Sequence, residues 1–521
     1  MVETEYDVAI VGGGHNGLVA AAYLAKAGKK VVVLEKLEVL GGAAISAQTF
    51  KGIDAKLSRY SYLVSLLPEQ IIKDLGLDIK LAPRRFGSFT AEPNTSRGLL
   101  IDKADSEVTK KSFADIDAES DFESWNNFYA KTELIAKKLF KTLLEPLRTE
   151  KEVRDELGEQ LWKDFFEQPI GKTISDNFES DLVRGVVMTD ALIGTFASNL
   201  DQNLDANKCF LYHVIGNETG EWQIPIGGMG AVTTSMAKQA ESFGAELRTN
   251  CTVTEITEDR RVRFIEDGEK KEIRAEFVLA NVSKPILEKL LGNNYKHNIQ
   301  GAQVKVNMLL KRLPKLKADV DPVAAFSGTF HINENFSQLQ TAYDTAEQGN
   351  IPDPLPLEIY CHSLTDPTIL GPELQQAGAQ TLTVFALHTP HSLVENMENE
   401  DLREQLQEAV IKSINTVLTE DILDVLLRDS DGNLCIETKT TLDLEDALGL
   451  PGGNIFHGPL SWPFVGNEAE LDSPAKRWGV ESGYENIYFC GSTARRGGAV
   501  SGIGGHNAAM AVLENTASSE R

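Results

Sequence analysis

Cysteine is scarce in this sequence. Five occur in 521 residues, Cys209, Cys251, Cys361, Cys435 and Cys490, odd in number and far apart. Such spacing offers neither a disulfide framework nor a Cys-x-x-Cys redox pair, which excludes thiol–disulfide exchange. Positive charge is also short: 51 Lys and Arg face 77 Asp and Glu, a net charge of −26. That surplus argues against nucleic acid as a partner and gives no attraction to an anionic membrane surface. Long apolar runs are missing, since charges such as Lys26 interrupt them well short of a bilayer span. The opening Met-Val-Glu-Thr-Glu-Tyr-Asp carries no basic leader or Arg-rich transit segment, so a reducing cytoplasm is the expected location. No Gly-x-Ser-x-Gly elbow or Walker loop appears. A content of 42% hydrophobic and 25% charged residues is that of a soluble globular enzyme, and the length fits two or more domains.

What is present is concentrated at Val8–Gly42. Val8-Ala-Ile-Val11 reads as a buried strand, Gly12-Gly-Gly14-His-Asn-Gly17 as a tight turn, and Leu18, Ala21, Ala22 and Ala25 as one face of a helix. Val31-Val-Val-Leu34 is a second strand, ending at Glu35. Gly12-x-Gly14-x-x-Gly17 lets backbone approach a pyrophosphate, and the helix N-terminus aims free N–H groups at it. An acidic residue at position 35 can accept the ribose hydroxyls of an adenosine.

Two later blocks repeat the strand–glycine–helix design. Trp222–Gly230 leads into a helix to about Phe243, followed by strands at Glu246–Thr249 and Thr252–Ile256. A Glu266-Asp-Gly-Glu269 hairpin and a buried strand at Glu276–Ala280 complete that block. Asn486–Gly491 precedes Ser492–Gly498 and an apolar helix beginning near Gly505. Between these blocks lie helical patterns, one with Phe128, Leu134, Ile135, Leu139 and Leu143 on a single face. Leu161, Trp162, Phe165 and Phe166 form an aromatic cluster, read as a core face in preference to a membrane-docking or tunnel face. Strands at Val304–Leu310, Leu357–Cys361 and Thr381–Leu387 and a helix from Asp401 to about Leu418 follow.

The glycine fingerprint with Glu35 and Gly41-Gly42, Pro225-Ile-Gly-Gly-Met-Gly230, and the C-terminal glycine–helix unit together resemble the phytoene desaturase family of FAD-dependent oxidoreductases. That family sits within the wider flavoprotein amine oxidase group. Gly41-Gly-Ala-Ala44, Ser61–Leu67, Asn454-Ile-Phe-His-Gly458 and Gly505-His-Asn-Ala-Ala509 are most similar to the branch typified by pyridine nucleotide-disulfide oxidoreductase domain-containing protein 2.

The resemblance implies an α/β fold. A Rossmann-like FAD-binding domain of the amine-oxidase type would be assembled from residues 1–75, 220–290 and 481–521, with a mixed α+β substrate domain from 76–219 and 291–480. Gly12, Gly13, Gly14 and Gly17, with His15 and Asn16, would hold the pyrophosphate, and Glu35 with Lys36 the adenosine ribose. Gly41, Gly42 and Ala43 would pass the flavin ring, and Val253 would meet adenine. Gly491, Ser492, Gly505, His506 and Asn507 would reach the ribityl chain and the pyrimidine edge. Two positions depart from the group's pattern: Leu40 stands where many members carry Arg, and Ser492 replaces a common acidic residue.

Only one complete fingerprint occurs, so a dedicated nicotinamide domain is not expected. Electrons would enter from the organic substrate and leave to oxygen or a quinone. The expected activity is hydride removal from a largely apolar, isoprenoid- or lipid-like substrate, with peripheral membrane contact by analogy only. The alternatives are an amine oxidase, with Trp462, Tyr484 or Tyr488 as cage residues, a redox-neutral flavin isomerase, or an interaction protein that has kept the fold. His457 is the candidate proton acceptor beside the flavin, weighed equally against a loop histidine bonded to backbone. Arg495 and Arg496 are open between pyrophosphate, a substrate carboxylate and solvent. His388-Thr-Pro-His391 and Asp429-Ser-Asp-Gly-Asn433 superficially suggest metal sites, but their spacing fits neither zinc nor an EF-hand, and no metal is expected.

Overall fold

In the computed structural model, which describes residues 4–519, the opening strand Thr4–Val11 lies inside an eight-stranded sheet. It runs parallel to Val31–Leu34 on one side and to Glu269–Ala280 on the other, with Val8 opposite Val31 and Phe277. Parallel strands covered on both faces need unbroken apolar runs, which Val8–Val11 and Val31–Leu34 supply. Glu246–Arg248 extends the sheet beyond Val31–Leu34, and Ile487–Phe489 joins the far half of Glu269–Ala280 in parallel. Segments from the start, middle and end of the chain thus close one Rossmann-like sheet. The strand expected at Glu276–Ala280 is longer than its apolar part. Its first half pairs antiparallel with Arg261–Glu266 across Asp267-Gly268, both at positive φ (51° and 79°), the backbone that an Asp-Gly hairpin favours.

Helices His15–Lys26 and Ile503–Ser519 pack together on this sheet. Their approach is set by Gly505, where a Cβ would lie 2.0 Å from the carbonyl oxygen of Asn16. A seven-stranded second sheet has the order Ile436–Lys439, Val304–Leu310, Gln380–Ala386, Leu357–Tyr360, Thr329–Ile332, Phe86–Ala91, Gly98–Asp102. Helix Asn399–Asn415 adds Leu402, Leu406, Val410 and Ile414 to the core packed on this sheet. Its ends fall two to three residues before those expected from the sequence.

Between Asp121 and Val214 the chain builds a helical layer around Phe128, Phe165 and Phe210. Trp162, Phe165 and Phe166 are buried here, so the aromatic cluster is core. Leu134 does not share that face. The inward stripe of helix Asp121–Leu139 runs Phe128, Thr132, Ile135, Leu139, and Leu134 is 43% exposed, one residue off the stripe. Arg496, only 2% exposed, locks this layer to the C-terminal block. Its Nη1 donates to the carbonyls of Thr142 and Glu145 (2.8 and 2.5 Å) and its Nη2 to that of Trp478 (3.1 Å). Burial lowers its pKa to about 10, so it remains a cation bonded to carbonyls near neutrality.

The metal-like motifs close on themselves. Asp429 Oδ1 accepts from the N–H groups of Asp431 and Asn433, both at 2.9 Å, making a polar turn. Among the described residues no group of three or more His, Cys, Asp or Glu is arranged to hold a metal ion, and no helix is long and apolar enough to cross a membrane.

His388 is buried edge-on against Phe196 and Tyr343, with neither ring nitrogen hydrogen-bonded. Burial drops its pKa from 6.5 to about 3. The unfolded chain therefore binds the extra proton between those values, and stability falls as pH is lowered through that window by roughly 1.4 kcal/mol per pH unit. His388→Asn, which does not titrate and tolerates the positive φ at this position (54°), is expected to lose less stability than the parent between pH 7 and pH 4. Thermal midpoints at the two pH values measure this, and equal losses would contradict it.

Candidate cofactor and substrate site

The turn after the first strand is held open by an asparagine from the middle of the chain. Asn281 follows Glu269–Ala280 directly; its N–H donates to Val11 O (2.9 Å) and its Nδ2 to Gly12 O (3.0 Å). Gly12 sits at φ +101°, and a Cβ on Gly17 would come within 2.4 Å of Gly12 O and 2.8 Å of Asn281 Nδ2. From the other side, a Cβ on Gly491 would meet Asn281 Oδ1 at 2.6 Å. The glycines at all three sites leave the room that this amide needs.

The helix that starts here has no side-chain cap at its N-terminus. Its free N–H groups and dipole form an anion site facing the cavity. The other two glycine–helix units differ. At Met229–Ser242 the entering N–H groups are taken by protein: Gly227 by Asp366 Oδ2 (2.7 Å), Met229 by Ser58 Oγ (3.2 Å) and Gly230 by Ser46 Oγ (3.0 Å). At Ile503–Ser519 the first N–H bonds Ser501 Oγ (3.2 Å).

One cavity of about 660 Å³ runs from Glu35, past Gly12, Gly14 and Gly42, to the second sheet. At its first end Glu35, 6% exposed, accepts from Gly13 N–H (2.7 Å) and Leu37 N–H (2.8 Å), one on each carboxylate oxygen. A carboxylate has about four acceptor positions, so Glu35 braces the turn and retains capacity for ribose hydroxyls. Lys36, Cys251, Thr252, Val253, Ile286 and Leu290 line the same end.

At the middle, Gly41 N–H bonds Gly13 O (2.9 Å), bringing Gly42 and Ala43 alongside the first turn. Ala43 O accepts from Ser61 Oγ (2.8 Å), which ties this stretch to Tyr60 and Tyr62 on the cavity wall. Lys305 enters from the second sheet. Its Nζ donates to Ser58 O (2.9 Å) and Tyr60 O (2.6 Å), and it lies 5.0 Å from the ring centroid of Tyr62. Burial holds its pKa well below 10.5. His15 and His457 also line the cavity, with His15 Nε2 and His457 Nδ1 unpartnered; burial lowers both to about 4. They are therefore neutral near pH 7.

The far end mixes apolar walls (Leu66, Ile101, Val186, Ile193) with Arg84, Asp190, His331, Glu358 and Tyr360. Desolvation raises Asp190 to about 6 and Glu358 to about 8. Behind them His331 Nδ1 meets Glu334 Oε2 at 2.6 Å, and that carboxylate also accepts from Thr189 (2.8 Å).

Of the residues singled out from sequence, Gly12, Gly14, His15, Asn16, Glu35, Lys36, Gly42, Ala43, Val253, Ser492 and His457 line this one cavity. Gly13, Gly17, Gly41 and Gly491 stand behind the wall as spacers. Gly505, His506 and Asn507 lie elsewhere. Gly505 spaces two helices, His506 stacks edge-on with Tyr23 and Trp478, and Asn507 donates to Leu143 O (3.1 Å). The C-terminal block reaches the cavity instead through Gly498, Ala499 and Val500. Arg495 is turned to Phe464 O (3.1 Å). The expected cage residues are also elsewhere: Trp462 packs with Phe166 and Phe464, Tyr484 bonds Glu288, and Tyr488 accepts from Asn515.

Sequence reasoning missed Asn281, Lys305, Arg84 and Asp190. The signal for Lys305 was present: Lys305 and Asn307 alternate on one face of an otherwise apolar strand, where burial makes a polar residue informative.

The chain resembles known proteins along its whole length. A model of an NAD(P)-binding Rossmann-like domain matches residues 10–68. An uncharacterized protein of Mycobacterium tuberculosis is 51% identical, over 99% of this chain and 98% of its own length. Pyridine nucleotide-disulfide oxidoreductase domain-containing protein 2 of Rattus norvegicus is 30% identical, over 99% of this chain and 94% of its own. Among solved structures, cyclohexylamine oxidase from Brevibacterium oxydans superposes with a TM-score of 0.57 at 14% identity, over 99% of this chain and 100% of that one, a likeness of fold.

Glu35→Arg removes the acceptor for two N–H groups, a loss of about 2 kcal/mol, and puts bulk where a ribose would lie. Flavin affinity is expected to fall by tenfold or more, read as flavin retained after gel filtration. Full occupancy in the variant would contradict the assignment of this end.

Proposed function

We infer the activity from one premise: the chain belongs to the family of pyridine nucleotide-disulfide oxidoreductase domain-containing protein 2 and is a flavin-type oxidoreductase. The family name does not describe its thiols. All five cysteines are buried and unpaired, and burial pushes Cys361 up to about 12, far from a reactive thiolate.

The cofactor in this reading is FAD, with adenosine at Glu35 and Val253, pyrophosphate at the uncapped helix after Gly14, and the flavin ring at Gly42 and Ala43. The supporting observation is the single continuous cavity, which joins an anion-binding helix end to an apolar chamber. Bound there, a flavin supplies an acceptor for hydride. The substrate is a largely apolar, isoprenoid- or lipid-like molecule, oxidised as in a desaturase, with electrons leaving to oxygen or a quinone. Leu66, Ile101, Val186 and Ile193 bind its carbon skeleton and exclude water. Lys305 Nζ and the unpartnered Nδ1 of His457 are the groups available to take up a proton lost from the substrate.

A second reading, oxidation of an amine, draws on Tyr62 and Tyr360, whose ring centroids lie 4.6 Å apart on the cavity wall. Anaerobic mixing of the FAD-loaded protein separates the two. Isoprenoid or fatty acyl compounds are expected to bleach the flavin; bleaching by amines alone would overturn the first reading, and bleaching by NADPH alone would overturn the proposed direction of electron flow.

A further inference from the structure

The polar residues of the far chamber are unequal. Arg84 leaves the strand pair Leu81–Ala82 and Ile224–Pro225 and is fixed by two hydrogen bonds, Nε to Trp222 O (3.1 Å) and Nη1 to Thr329 Oγ1 (3.1 Å). Among the described residues its third nitrogen, Nη2, has no hydrogen-bond partner and no carboxylate lies within ion-pair distance of the guanidinium. The group lines the cavity, 6.0 Å from the ring centroid of Tyr360. Asp190 and Glu358 act on this guanidinium electrostatically but neither bonds it, so its burial still costs, and an anion delivered to its free edge relieves that cost.

The acidic neighbours offset it only in part. Tyr360 Oη donates to Glu358 Oε2 (2.7 Å), and Glu358, raised to about 8 by burial, keeps its own proton near neutrality. Glu334 is held well above its ordinary value and is engaged by His331 and Thr189. His331 is lowered and neutral. Asp190, raised to about 6 by burial, acts on Arg84 electrostatically without bonding it, and it is the group an amine would seek.

We propose that Arg84 forms a head-group subsite for a carboxylate, so that the substrate is an amphipathic acid: an apolar chain along Leu66, Ile101, Val186 and Ile193 with its carboxylate on Arg84 Nη2. This deepens the reading of an apolar substrate and rests on it. The subsite connects to Ala43 through Ser61, Tyr62 and Tyr360. Arg84 acts here in binding and orientation, leaving the oxidised carbon free to lie near Ala43.

Calorimetric titration of the FAD-loaded protein at pH 7 with decanoate, decanol and decylamine tests the subsite directly. Decanoate is expected to bind at least tenfold more tightly than decanol, with decylamine weakest. In Arg84→Gln the affinity for decanoate should fall to that for decanol, while decanol binds as before; Arg84→Lys should keep part of the preference. Decanol affinity reports that the chamber is intact, and Arg84→Lys decides the matter if Arg84→Gln fails to fold. Tightest binding by decylamine, or a decanoate preference that survives Arg84→Gln, would overturn the proposal. Decanol binding with no preference for decanoate would remove the subsite and leave the apolar reading standing. Failure of all three to bind would remove both.

Discussion

The amide of Asn281 is the contact on which the nucleotide end depends. Its N–H extends the sheet by one bond to Val11, its Nδ2 holds Gly12 O, and its Oδ1 faces Gly491. Three segments separated by more than two hundred residues meet at this one side chain. Each presents a glycine or a bare backbone there, because the gap between strand ends admits an amide and little more. The free donors at this turn belong to the uncapped helix after Gly14.

That uncapped end distinguishes the first glycine–helix unit from its two look-alikes. All three read similarly in sequence, as an apolar strand, glycines and a helix. At Gly227–Gly230 the glycines let Asp366, Ser46 and Ser58 cap the helix, and at Gly502–Gly505 they let two helices touch. A glycine-rich helix start signals close approach; whether of a ligand, a cap or another helix depends on residues distant in the chain. This is why Gly12, Gly14, Glu35, Gly42 and Ala43, singled out from sequence, come together on one cavity wall, while Gly505, His506 and Asn507, singled out with them, do not line it. The Asp267-Gly268 hairpin was legible for the opposite reason, since its backbone requirement is local. Leu134 was misplaced because a stripe of apolar residues tolerates a neighbour on its edge, and only packing decides which one turns inward.

The substrate end was least legible. Arg84, Asp190, Lys305 and Glu358 come from four separate elements and share no sequence spacing, so only the fold brings them to one chamber. Their burial makes the chamber more than an apolar tunnel. Lys305, His15 and His457 line it together with Arg84, Asp190 and Glu358. The expectation was of a largely apolar substrate; the proposed amphipathic acid would lay its chain along Leu66, Ile101, Val186 and Ile193 and its head group on Arg84.

The central claim is that these three segments hold a flavin dinucleotide. The flavin content of the purified protein tests it most directly, by heat release and chromatographic identification of the chromophore. The account predicts one equivalent of FAD per chain, or uptake of one equivalent by protein purified without it. A colourless protein that takes up no FAD, or one that binds only a nicotinamide dinucleotide, would contradict it.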